Sequence, residues 1–297
     1  MMTQAQVDNI LKGSYDLHIH AFPDLQPRKL DALDLVKEAR EAGLAGCLLK
    51  DHSFATTDRA YILNKIFPDF TVAGALVLNY PTGGLNPAAV EAAIKAGAKQ
   101  IYMPTYAAAN QVRKMGQVSF FGPYPFPKNQ QGIAIINDKG ALVPEVEAIL
   151  DLIAQNSNSN RVILGTGHLS SEEIMPLVKK AKATGVKKIL ITHASFQLIG
   201  LPLARQMEAI GHGAFIEHSY FGATFQGHLT PVEEMAKQIR AVGVEHCLLS
   251  TDFGQTANPT PVEGFKSFIG NLLSLGFTSK EIRTMIVENP LKLLDEG

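Results

Sequence analysis

Residues 161–195 read "RVILGTGHLSSEEIMPLVKKAKATGVKKILITHAS" and hold one complete structural unit. The run Arg161–His168 is short, apolar and punctuated by glycine, which predicts a buried strand. Ser170 and Glu173 stand three residues apart at the head of a helical apolar period, the spacing of a capping box. The run 187–195 is again apolar and predicts a second strand. The unit is therefore strand, helix, strand, and each strand ends in a histidine, His168 and His193.

The same alternation runs outward in both directions. Strands are predicted at 15–20, 47–52, 71–80, 100–106, 161–168, 187–195, 214–220 and 246–254. Helices are predicted between them, at 31–42, 57–67, from the Asn86-Pro87 cap to Gly97, and at 145–156. Further helices are expected at 171–185, at 201–210, after a capping box from Thr230 to Glu233, and at 261–274, with a helical close over 278–294. Eight strands each followed by a helix in 297 residues have the rhythm of an α/β (β/α)8 TIM barrel. A doubly wound open sheet is the alternative. One domain spanning 1–297 suffices. Its one break in period is an insertion at 107–142, where "VSFFGPYPFP" (118–127) precedes a hairpin turning at Asn137–Gly140. So long an aromatic loop on a barrel reads as a lid closing over substrate.

Composition removes several functions. A formal net charge of −1 with no run of like charges argues against nucleic-acid binding. The N-terminal residues have no apolar signal-peptide core, and no apolar segment has the length of a membrane span. Cys47 and Cys247 each sit in an apolar run and read as reduced core residues. These features predict a cytoplasmic protein acting on a small molecule, with homo-oligomerisation open.

The polar residues left over fall at strand ends, where a barrel carries its chemistry. His18 and His20 end strand one; at i and i+2 they share a strand face. Lys50, Asp51 and His52 end strand two, His168 and His193 end strands five and six, Glu217 and His218 lie on strand seven, and Asp252 ends strand eight. Six of the nine histidines stand on this rim. One strand-end histidine is ordinary; a ring of them with a carboxylate is the donor chemistry of a divalent cation. Zinc is the first expectation, as one or two ions, with manganese, iron or nickel as other choices.

This order of residues, His-x-His on strand one, His on five, His on six and Asp on eight, resembles the amidohydrolase superfamily of metal-dependent hydrolases. The segments "LKDHS", "GTGHLS", "ITHAS" and "STDFG" are similar to those of a poorly characterised branch of it. The resemblance implies a ligand set of His18, His20, His168, His193 and Asp252, with Asp252 also taking a proton from the attacking water. A bridging carboxylated lysine or glutamate, common at the end of strand four in that superfamily, has no counterpart in "QIYMPTY" (100–106). Lys50 on strand two is the substitute: either carboxylated and bridging two metals, or an ammonium paired with Asp51 or a substrate anion.

The predicted chemistry is metal-assisted hydrolysis of an amide, lactam, lactone or ester, with Asp252 moving the proton and His193 or Lys50 steadying the oxyanion. A phosphoesterase, or a decarboxylase or hydratase, is an alternative on the same rim, and a non-catalytic metal-binding protein is the third. His52, Arg28, Arg59, Glu217 and His218 are candidates for substrate contact. Serine or cysteine nucleophile chemistry finds no Gly-x-Ser-x-Gly elbow, and "GTGHLS" lacks the third glycine of a dinucleotide site.

Overall fold

A computed structural model describes residues 4–116, 118–119, 122–123, 131–156, 162–224 and 230–294. Its eight main strands are β1 Tyr15–Ile19, β2 Gly46–Leu49, β3 Thr71–Val77, β4 Gln100–Tyr102, β5 Ile163–Gly165, β6 Lys188–Ile191, β7 Ala214–Ser219 and β8 Cys247–Ser250. Each pairs in parallel with the next. The ring closes from last to first through a parallel bridge, Ile19 to Phe253. Two backbone bonds hold that seam: Asp252 N–H donates to His18 O (2.8 Å) and His20 N–H to Phe253 O (2.8 Å). The fold is a (β/α)8 barrel, and the open-sheet alternative falls.

The helices follow the strands one for one: α1 Ala32–Glu41, α2 Thr57–Ile66, α3 Pro87–Lys95, α4 Pro144–Asn156, α5 Ser171–Thr184, α6 Leu203–Gly211, α7 Val232–Val242 and α8 Pro261–Ser274. Asn86 caps α3 and the Ser170–Glu173 capping box opens α5, as their spacing requires. The expected box at Thr230–Glu233 does not form. Pro231 takes the N-cap position, and the Thr230 hydroxyl donates to Ser195 O instead. A different box, Thr260 with Glu263, opens α8.

Alternation along the strands sorts side chains into two cores. Leu17, Leu48, Ala75, Tyr102, Ile163, Leu190 and Leu248 belong to the inner one. Cys47, Leu49, Ile101, Leu164, Ile189 and Leu249 join the helices' buried faces in the outer one. Both cysteines are free and buried.

The strands are shorter than their apolar runs suggest. β5, β6 and β8 stop at Gly165, Ile191 and Ser250, so His168, His193 and Asp252 stand two or three residues beyond the ladder. Within the insertion, Ala109–Met115 is helical and Ile136 pairs with Leu142 across the turn at 137–140. Much of the aromatic run that suggests a lid, residues 120–121 and 124–127, lies outside the described residues.

Candidate metal centre

His18 and His20 project together, as their spacing predicts, but by an irregular route. The β1–β2 register shifts between Asp16 and Ile19. The Asp16 carboxylate secures that irregularity by accepting from His18 N–H (3.3 Å) and from the Thr251 N–H (3.1 Å) and hydroxyl (2.6 Å). One buried carboxylate thus ties the strand of the histidine pair to the strand end of Asp252. The two imidazoles then meet Asp252 Oδ1, His18 Nε2 at 3.1 Å and His20 Nε2 at 3.0 Å. His193 Nε2 lies 3.6 Å from Asp252 Oδ2.

Among the described residues, His193 and Asp252 are the two non-glycine positions with left-handed backbone, φ 55° and 54°. Such a conformation costs roughly 1–2 kcal/mol per residue and persists where surrounding bonds over-determine it. Here Glu217 Oε2 accepts from His193 N–H (3.2 Å), and the barrel seam holds Asp252 N–H. Gly254 keeps the seam tight: a Cβ there would lie 2.0 Å from His20 O.

Three of the four histidines expected as ligands have Nδ1 held from behind. His18 Nδ1 meets Glu217 Oε1 at 2.8 Å, His193 Nδ1 meets Ser219 Oγ at 2.8 Å, and His168 Nδ1 bonds to Gln111 Oε1. A carboxylate only accepts, so His18 carries its proton on Nδ1 and presents a bare lone pair at Nε2. That lone pair lies 3.1 Å from a carboxylate oxygen. Two acceptors that close need a positive partner, and Lys50 Nζ stands 2.9 Å from His18 Nε2.

Lys50 is fully buried, with its ammonium 4.8 Å from the Tyr102 ring centroid. The pairing with Asp51, one of the alternatives for this lysine, does not form. The Asp51 carboxylate turns outward to accept from Ser53 and Phe54 N–H and from Arg59. Burial lowers the Lys50 ammonium to about 8, opposed by Asp252 and Glu217. Burial lifts Asp252 to about 8, and Lys50 opposes the rise. Burial, then the Lys50 charge, drives His18 well below the ordinary histidine value, and burial does the same to His20, His168 and His193. Neutral imidazoles are the form that binds metal.

These groups face a cavity of about 10 Å³, lined by His20, Lys50, His52, Tyr106, His168, His193, Phe196, Phe221, Asp252 and Gln255. His52 stacks between His20 (4.8 Å) and Tyr106 (3.9 Å), its Nδ1 2.8 Å from Thr105 Oγ1. The other substrate candidates stand off this wall. Arg28 is buried and paired with Asp24 (2.7 Å). Arg59 bonds Pro23 O (2.7 Å) and Asp51 (2.9 Å). Glu217 lies behind the histidines, also accepting from Ser250 Oγ (2.8 Å). His218, on the opposite face, meets Ser195 Oγ at 3.1 Å.

The sequence reading passed over Asp16, Gln111, Ser219, Gln255, Phe196 and Phe221. Ser219 and Gln255 carried a local signal, since each lies within three residues of a recognised strand-end group. Gln111 carried none: it reaches His168 from the helix that follows β4, across 57 residues of chain.

A model described as a family of unknown function (DUF6282) matches residues 13–217. The chain belongs to that family. The match takes in the DUF6282 residues His18, His20, Lys50, His168, His193 and Glu217, and stops short of Asp252. No curated protein matches the chain. Among solved structures it is similar to an amidohydrolase from Pseudomonas aeruginosa, at 11% identity and TM-score 0.68 over 99% of each chain. It is also similar to a lactonase from Listeria monocytogenes, at 11% identity and TM-score 0.61 over 96% of this chain and 95% of that one. The phosphotriesterase homology protein from Escherichia coli, complexed with phosphate in its active site, aligns at 14% identity and TM-score 0.58 over 95% and 98%. At such identities the likeness is one of fold, and this DUF6282 chain has the barrel of the amidohydrolase- and phosphotriesterase-like proteins.

Proposed function

We propose that this protein is a metal-dependent hydrolase acting on an amide, lactam, lactone or ester of a small molecule. One observation carries the reading. The imidazoles of His18, His168 and His193 are each gripped at Nδ1 from outside, and His18 Nε2 faces Asp252 Oδ1 acceptor to acceptor. A donor set of neutral imidazoles and one carboxylate suits a single divalent cation, zinc before manganese, iron or nickel. In this reading His18, His20, His193 and Asp252 hold the ion, and His168 and Lys50 flank it. The (His18, His193, Glu217) grouping is better explained as Glu217 fixing His18, because His18 turns Nδ1 toward it. A bound divalent cation would acidify water and polarise the scissile carbonyl.

The chain's own residues supply the rest. Asp252 takes the proton of the attacking water at its carboxylate and returns it to the leaving group. The Lys50 ammonium steadies the oxyanion that develops beside it. Tyr106, Phe196 and Phe221 wall the cavity and keep bulk water from it. The similar folds named as amidohydrolase and lactonase support this class of reaction.

The test is metal analysis of protein purified without chelator, followed by assay on panels of chromogenic esters, lactones and dipeptides. One zinc per chain, with hydrolysis lost to chelator and restored by metal, is expected. A protein that retains no metal and takes up neither zinc nor manganese on titration would sink the reading. Selective cleavage of phosphoesters would move it to the phosphoesterase alternative.

A further inference from the structure

Helix α2 carries apolar residues on its exposed side as well as its buried one. Ala60 and Leu63 are buried against the body, yet Tyr61, Ile62 and Ile66 are 64%, 56% and 53% exposed. With Asp58 and Lys65 they occupy positions i, i+3, i+4, i+7 and i+8, the spacing of a helix face built to be covered. Beside the stripe runs a groove of about 380 Å³, mostly apolar, lined by Phe22, Pro23, Ala32, Leu33, Ile62, Leu63 and Ile66, with one anion and one cation, Asp31 and Arg59, on its wall. Singly exposed apolar residues are ordinary, but a contiguous stripe and groove with a charged edge mark an interaction surface.

We propose that this face is a two-fold interface with a second copy of the chain, α2 packing antiparallel on its counterpart. The stripe's own charges specify the occupant. Asp58 lies in the first turn and Lys65 in the last, with the apolar residues between them. A two-fold axis passing between Tyr61 and Ile62 sets Asp58 opposite the partner's Lys65 at both ends. The same operation sets Ile62, a wall of the groove, opposite the partner's Tyr61, whose ring is 64% exposed and stands at the groove's edge. Parallel packing would instead set Asp58 against the partner's Asp58. The antiparallel arrangement also opposes the two helix dipoles. Contacts of this self-complementary kind, each patch meeting its own copy, define a closed dimer. An anionic membrane is a poor occupant, because the stripe carries one cation and one anion rather than a basic cluster.

Sedimentation equilibrium of the full chain over a wide concentration range tests this. A reversible dimer is expected. Ile62→Asp, at an exposed position, is expected to yield monomers with an unchanged circular dichroism spectrum. Asp58→Lys alone should weaken the dimer by about tenfold or more, because it sets like charges across the axis. Adding Lys65→Asp to it should restore the dimer. A wild-type protein that stays monomeric at all concentrations overturns the proposal, and so does a monomer that sediments with anionic vesicles. A dimer untouched by Ile62→Asp overturns it too, since the contact would lie on another face. Failure of the charge-swapped pair to restore what Asp58→Lys loses overturns the antiparallel register.

Discussion

Asp252 and Glu281 are carboxylates in two regions of one chain, and their surroundings push them in opposite directions. At the rim, burial lifts Asp252 to about 8 against the pull of Lys50. In the closing helix Ser279–Arg283, Glu281 completes a capping box. The Thr278 N–H, then the Arg240 guanidinium, draw it down to about 2. The signs for stability follow. Glu281 stabilises the fold above its ordinary value near 4.5, and that contribution fades as pH falls toward 2. Asp252 does the reverse: it favours the fold at acid pH and weighs against it as pH climbs from about 4 through about 8. The rim holds groups that resist their neutral-pH state, whereas the closing helices hold groups satisfied in theirs. Function and stability are therefore separable by mutation.

The largest expected effect is at the rim. His20→Ala removes a donor that meets Asp252 at 3.0 Å, and metal affinity measured by chelator competition should fall more than about 100-fold. Glu217→Gln preserves shape but takes away the negative charge behind His18 and leaves one accepting oxygen where two serve, Oε1 for His18 Nδ1 and Ser250 Oγ and Oε2 for His193 N–H. A 10–100-fold loss of metal affinity, at roughly constant thermal stability, is expected for such a supporting partner. An unchanged affinity would mean that His18 is oriented by β1 alone. Glu281→Gln should lower unfolding free energy by about 1 kcal/mol at neutral pH, a figure already reduced for solvent screening of an exposed pair. The deficit should shrink in urea melts below about pH 4, with metal binding unmoved. Any loss of metal affinity in this variant would break the separation. Gln111→Ala is the smallest: it frees His168 Nδ1 on the flank of the site, and affinity should change less than about threefold. A larger change would move His168 into the primary donor set.

The sequence carried the barrel well because each βα unit announces itself locally, through apolar strands, caps and proline or glycine stops. It carried the ends of strands poorly. Runs such as "HCLLSTDFG" meet no glycine or proline stop until Gly254, so the turn that lifts Asp252 into left-handed backbone looks like more strand. Side chains at the rim were legible as residue types whose chemistry has few other uses there. Their supports were not, since Asp16, Glu217 and Gln111 meet Thr251, His18 and His168 across 57 to 235 residues of chain or, for Asp16 and His18, act through a register shift. The Thr230 box failed for a reason visible only in three dimensions: the helix starts one residue later, with Pro231 at the N-cap, and leaves Thr230 outside it, its hydroxyl donating to Ser195 O.

The seam between β1 and β8 has a consequence for how the protein comes into being. The two backbone bonds that close the ring run through His18, His20 and Asp252 themselves, so closing the cylinder and gathering the donors are one event. A chain emerging from the ribosome makes the histidine pair seven strands before Asp252. Most of the barrel is then synthesised before the site can exist. A bound ion would act as a clasp on the finished ring, and its retention would report that the last strand has found the first.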